Sequence, residues 1–326
     1  MSYFKPSIDS RVDYSLILPV ICLLIFGIMA IYIAVNHDYP ASAWAIVGQQ
    51  IAWIALGIVI SFVVMFFNTK FLWKMTPLLY VFGLGLMVLH LVFYRPSLVA
   101  STGAKNWVTI GGTTLFQPSE FMKISYILIL SRSVVQFSQR NKDKIRTIKM
   151  DWLLILELFL YTVPVLVLLT IQSDLGTALV FMAIFSGIVL LSGVSWKIIL
   201  PIFLTGVSLF LAFMLIFTWE GGRAFLHNLG MPTYQINRIL ALLHPFEYAQ
   251  TTTYQQAQGQ IAIGSGGIWW QGFNVSNLLV PVRESDMIFT VIAEDFGFMG
   301  SIFLIALYLL LIYRMLRITL KSNNQF

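Results

Sequence analysis

The sequence predicts an all-α polytopic membrane protein, a helical bundle of about eight transmembrane segments with one large extracytoplasmic loop. Three observations carry this. The 326 residues are 58% hydrophobic and only 10% charged, whereas a soluble domain carries about a quarter charged residues. The apolar residues fall in runs of about 20, the length that crosses a bilayer as a helix. The basic residues collect between alternate runs, as the positive-inside rule requires. A closed β-barrel needs short strands that alternate apolar with polar, and these runs do not alternate.

In chain order the runs lie near 14–35, 45–67, 71–93, 117–137, 152–171, 175–194, 198–218 and 296–316. The first is too long for the apolar core of a signal peptide and has no small-residue cleavage site behind it, so it reads as a retained anchor. It holds the sole cysteine, Cys22, which has no intrachain partner and belongs to core packing. Pro118 opens the fourth run, a position that suits a helix start. Glu157 lies within the fifth on the cytoplasmic side, where a buried hydrogen bond is expected. The charged connection 138–150 reads as a solvated turn.

With a cytoplasmic N-terminus, the inside carries Lys5, Arg11, Lys70, Lys74, Arg132, five basic residues from Arg140 to Lys149, Lys197, Arg314, Arg317 and Lys321. The outside carries only Arg95, Lys105, Arg223, Arg238 and Arg283. Both termini are therefore expected in the cytoplasm. The net charge of +6 follows from this topology, so no nucleic-acid partner is expected.

Two long connections then face outward, 94–116 and 219–284. The second carries Trp219, Tyr234, Phe246, Tyr254, Trp269, Trp270 and Phe273 among polar residues. Loops of that length are functional or disordered, and its composition suggests a folded extracytoplasmic cap. There is no tandem repeat and no separate soluble domain. The whole of 1–326 reads as one transmembrane domain, with 219–284 a loop within it.

Ionisable residues at membrane depth are costly and so are functional candidates. Four clusters qualify. In Gln117–Lys123, Glu120 and Lys123 share a helix face three residues apart. They form either a structural ion pair or a cation presented to a phosphate. The preceding Lys105 and Trp107 add a second cation and an aromatic suited to a sugar face. In Gln172–Thr177, Asp174 either caps the next helix or binds a cation or substrate. In Tyr254–Phe273, the glycines make either a tight turn or an anion-binding loop. In Pro281–Phe289, Asp286 is either a helix-start acid or a general base. Arg283 beside it could hold a phosphate or tune that carboxylate. None of the four histidines falls in a metal-ligand spacing.

The order of these motifs is specific. Arg11–Leu16 leads into the first span. Lys105–Trp107, Gln117–Lys123, Gln172–Thr177, Tyr234–Arg238, Tyr254–Phe273 and Pro281–Phe289 with Glu294–Gly297 follow. Over essentially the whole chain this series resembles the SEDS family (shape, elongation, division and sporulation proteins), its elongation members more than its division members. The resemblance implies a peptidoglycan glycosyltransferase that polymerises lipid II at the outer face of the bacterial cytoplasmic membrane, for elongation and shape. It matches the family's essential acid to Asp286 and its Pro-Asp-Leu-Gly acid to Asp174, with Ser173 where proline is usual. It matches the Glu and Lys of the fourth span to Glu120 and Lys123. It also implies a class B penicillin-binding protein as cross-linking partner, within the elongation complex. SEDS proteins have ten spans, and this sequence ends at Phe326 after the eighth, so it reads as a C-terminally truncated form.

For that reaction, Asp286 is the expected catalytic base. Lys105, Lys123 and Arg283 are candidates for pyrophosphate contacts. A divalent cation, magnesium or manganese, held partly by Asp174 or Asp286 is a further expectation. Two other readings compete: a lipid II flippase with Glu120, Lys123 and Asp174 lining a passage, and a non-catalytic scaffold of the wall-synthesis complex.

Overall fold

The computed structural model describes residues 13–92, 107–110, 113–231, 233–244, 246–247, 253–269, 272 and 280–322. Its elements are α1 (Tyr14–Asp38), α2 (Ala43–Met65), α3 (Thr69–Val92), β1 (Val108–Ile110), β2 (Thr113–Phe116), α4 (Pro118–Arg140), α5 (Ile148–Ile171), α6 (Leu175–Leu191), α7 (Trp196–Thr218), α8 (Glu220–Asn228), α9 (Thr233–Leu243), α10 (Tyr254–Ser265), α11 (Ile288–Asp295) and α12 (Gly297–Lys321). They belong to two compact units, one within Met1–Phe66 and Met214–Asn323, the other within Phe67–Phe213.

All eight apolar runs are helical. Six of the helices, α1, α2, α3, α5, α7 and α12, are long and apolar enough to cross a membrane. Large apolar side chains stand exposed along them, such as Ile58, Val59 and Phe62 on α2 and Leu209, Phe210 and Leu211 on α7. Lipid is the medium that makes such exposure favourable. The remaining two differ for physical reasons. Helix α6 is apolar but has 17 residues, about 25 Å at 1.5 Å per residue. Helix α4 has 23 residues but buries Ser119, Ser125 and Ser133. It tolerates them because it packs against α3, α5 and α6 within its own unit. The chain is thus an all-α polytopic membrane protein. The antiparallel β1–β2 hairpin is the small exception among the described residues.

The core of the second unit is built on α4. Met122, Tyr126, Ile129 and Leu130 meet Leu154, Leu158 and Leu169 of α5 and Phe181 of α6. Buried polar atoms here need partners. The Tyr126 and Thr162 hydroxyls lie 2.7 Å apart, and Tyr80 donates to the Tyr161 carbonyl at 2.5 Å. Ser133 donates to Glu157 at 2.7 Å, the hydrogen bond expected of that carboxylate.

In the first unit α1 packs on α2, α11 and α12, and α10 packs on α11. The last contact is backbone on backbone. A Cβ on Gly266 would come within 1.8 Å of the Ala293 carbonyl oxygen, so no other residue fits. Gly297, at φ +65°, is the first residue of α12, one position beyond the Phe296 that follows α11. Within the described part of 253–272, Gly266 permits this close backbone approach and Gly267 and Gly272 take positive φ. The described parts of the 219–284 connection are largely helical, forming α8, α9 and α10.

Candidate functional site

In the first unit Asp286 sits in the turn 281–287 that leads into α11. That turn is firmly held. Val282 takes φ +57°, a conformation that a β-branched residue rarely adopts. Gln255 donates to the Pro281 carbonyl at 3.1 Å. Arg283, only 4% exposed, donates from Nε to Asp38 Oδ2 at 2.8 Å. Its Nη1 lies 3.6 Å from Glu294 Oε2. Asp38, the last residue of α1, also meets His37 Nδ1 at 2.8 Å. One arginine thus pins the turn to the ends of two helices. Asp286 itself is exposed. Among the described residues its carboxylate has no hydrogen bond and no ion pair.

The second unit holds the other acid differently. Asp174 is 9% exposed. Its Oδ1 accepts from the Thr177 amide at 3.0 Å, capping α6. Its Oδ2 accepts from Gln117 Nε2 at 3.2 Å, joining the start of α6 to the start of α4. Ser173 before it has φ +59°. Of the two sequence readings, the cap is present. On the first turn of α4, Lys123 Nζ and Glu120 Oε2 form an ion pair at 2.7 Å, with side chains 26% and 60% exposed. The pair is intrahelical, so it does not brace two helices against each other. Trp107, 40% exposed, precedes the hairpin that leads into α4. Lys105 lies outside the described residues.

The structure therefore links Arg283 to Asp38 and Glu294, links Asp174 to Gln117, and places Glu120 and Lys123 one turn beyond Gln117. The role of Asp38 was not legible in the sequence. It lies 245 positions from Arg283, and the only hint was an acid ending a long apolar helix. The guanidinium of Arg283 is turned onto protein carboxylates, which favours tuning of the Asp286 turn over contact with a phosphate.

The donor set for a metal is thin. Among the described residues no three His, Cys, Asp or Glu side chains gather to hold an ion. Both Asp174 oxygens already accept hydrogen bonds. Asp286 fits as one carboxylate sharing magnesium with substrate phosphates, a common arrangement for that ion.

Residues 14–326 match the family model for FtsW, RodA and SpoVE, described as cell cycle protein. The chain belongs to this family. It is 29% identical over 321 residues to the peptidoglycan glycosyltransferase MrdB of Escherichia coli K12, covering 97% of this chain and 78% of that one. It is 28% identical over 309 residues to the probable peptidoglycan glycosyltransferase FtsW of Thiomicrospira cyclica, covering 93% and 73%. Its fold matches a chain of a peptidoglycan synthase complex studied for the coordination of polymerization and crosslinking. That match has TM-score 0.67 and 24% identity and covers 93% of this chain and 76% of the other. The family match runs unbroken across both units, and family membership agrees with a multi-pass membrane protein.

Proposed function

We propose that this chain is a peptidoglycan glycosyltransferase that polymerises lipid II into glycan strands for cell elongation and shape. The observation that carries the reading is Asp286, an exposed carboxylate without a partner among the described residues, on a turn fixed by a buried arginine. The similarity to proteins named peptidoglycan glycosyltransferase supports it. The reaction faces outward, with both termini in the cytoplasm, as the basic bias of the connections indicates.

The chemistry assigns the roles. The donor sugar leaves from a lipid pyrophosphate, already a good leaving group. The protein must align two lipid-linked sugars, stabilise pyrophosphate charge and remove one proton. Asp286 takes the proton of the acceptor GlcNAc 4-hydroxyl. That oxygen forms a bond to MurNAc C1 as the C1–O bond to pyrophosphate breaks, turning an α linkage into β. Lys123 and Lys105 are the candidates for contact with the phosphates, Glu120 orients Lys123, and Trp107 supports a sugar ring. Asp174 holds the ends of α4 and α6 in place, and Arg283 holds the Asp286 turn. A divalent cation, when bound, would neutralise pyrophosphate charge, with Asp286 able to hold it only while that carboxylate is not accepting the proton. A class B penicillin-binding protein cross-links the product, within the elongation complex.

The test gives the purified protein fluorescent lipid II with its cross-linking partner present and reads glycan ladders on a gel. Ladders are expected from the wild type and not from Asp286→Asn. Ladders of full intensity from that variant would overturn the assignment of the base. Movement of labelled lipid across liposomes without any ladder would favour a flippase.

A further inference from the structure

The end of the second unit opposite Gln117 and Asp174 holds a cleft of about 370 Å³. It lies roughly 30 Å along α4 from Glu120, at 1.5 Å per residue. The C-terminal end of α4, the connection 141–147, the start of α5 and the end of α6 enclose it. Three basic side chains line its mouth: Lys142, Lys144 and Arg146. Its wall is apolar, with Val134, Phe137, Met150 and Leu191. Nothing in the proposed transfer reaction uses this place.

The two kinds of lining are built differently. Arg146 is fixed: Nε meets Asp151 Oδ1 at 2.6 Å, and Nη1 donates to the Ser192 carbonyl at 3.2 Å. A Cβ on Gly193 would come within 3.1 Å of that nitrogen, so the glycine turn after α6 leaves room for the guanidinium. Asp151 is buried and also accepts the Ser195 amide at 2.9 Å, closing the floor. Arg146 still presents 45% of its side chain. Lys142 and Lys144 are exposed and have no ion pair among the described residues. The segment 140–151 carries five basic residues against Asp143 and Asp151, so the mouth keeps a positive field. Leu191, on the apolar side, is 89% exposed.

Cations at the mouth and a partly exposed apolar wall match an amphiphile with an anionic head. A free phosphate would gain nothing from that wall. The cleft lies where apolar helices give way to charged connections, the depth of lipid headgroups, where basic pockets between helices hold acidic lipids. We propose that this cleft binds one anionic phospholipid of the cytoplasmic leaflet, with its phosphate on Lys142, Lys144 and Arg146 and an acyl chain over Phe137, Met150 and Leu191. The leaflet rests on the orientation read from the basic bias, and the binding itself is independent of glycosyl transfer.

The test titrates the full chain, in neutral maltoside micelles, with dioctanoyl phosphatidylglycerol and counts bound lipid by native mass spectrometry. Lys142→Gln with Lys144→Gln should weaken binding about thirtyfold, or about 2 kcal/mol at about 1.4 kcal/mol per tenfold, the effect of two basic side chains near an anionic headgroup. Lys70→Gln with Lys149→Gln removes the same charge outside the cleft and should weaken binding about threefold at most by screened attraction. Leu191→Asp, on an exposed position, should also weaken the lipid. Equal losses in the two double variants would overturn the site in favour of diffuse surface charge. Equal binding of dioctanoyl phosphatidylcholine, or displacement of the lipid by millimolar inorganic phosphate, would overturn the proposed ligand.

Discussion

Asp286 and Asp174 are the same residue type, each near a residue at positive φ, Val282 four positions before the first and Ser173 immediately before the second, and they differ in their partners. Both oxygens of Asp174 are occupied, one by the Thr177 amide and one by Gln117. Asp286 is exposed and its oxygens have no partner among the described residues, while the strain and the ion pairs lie in the neighbours that hold it. A carboxylate that must accept a proton has to be free of internal donors, because each donor it accepts favours the charged form and weakens it as a base. A carboxylate that joins two helices needs those donors. Partners, rather than residue type, distinguish the two carboxylates.

The strongest way to break this contrast is Asp286→Asn. Turnover should fall about 10²–10⁴-fold, the scale of a lost general base, while the thermal unfolding midpoint in detergent stays near wild type because the residue is exposed. A large drop in that midpoint would place Asp286 with the structural acids. Next in size is Arg283→Met. It leaves Asp38 and Glu294 buried without their cation and should destabilise the protein by about 3–5 kcal/mol. Adding Asp38→Asn and Glu294→Gln should recover part of that loss, as double-mutant analysis of unfolding can show. If the single variant is as stable as wild type, the turn does not depend on this cluster.

Asp174→Ala removes a helix cap and the Gln117 link. About 1–2 kcal/mol of stability should go with it. Its turnover, corrected for the folded fraction, should fall far less than that of Asp286→Asn. An equal fall in both would erase the distinction drawn between them. The smallest effect belongs to Glu120→Gln. This exposed intrahelical pair is worth less than about 1 kcal/mol, so unfolding should barely shift. A clear rise in the KM for lipid II would then sharpen the reading of Lys123 as a phosphate contact.

The helical bundle was legible because lipid imposes a simple rule. A span must be long, apolar and internally hydrogen-bonded, and runs such as 14–35 and 198–218 announce this in one dimension. Helix α4 was legible as the fourth apolar run, 117–137, opened by Pro118, although serines interrupt it. Its polarity makes sense only with α3, α5 and α6 around it. The short β1–β2 hairpin carried no periodic signal, since its strands have three and four residues.

At the candidate site, the sequence by itself determined which acids and cations were worth attention: Asp286, Asp174, Glu120, Lys123 and Arg283. It also determined that Gly266 and its neighbours permit close backbone approach or a turn. Only the tertiary structure decided which of these side chains were already engaged. It turned Arg283 onto Asp38 and Glu294, set Asp174 on Gln117 and Thr177, and left Asp286 without a partner among the described residues. The reason is that a local pattern fixes helices through contacts three or four residues apart. The state of a charge depends on partners that the fold brings from far along the chain, here from the end of α1 to the start of α11.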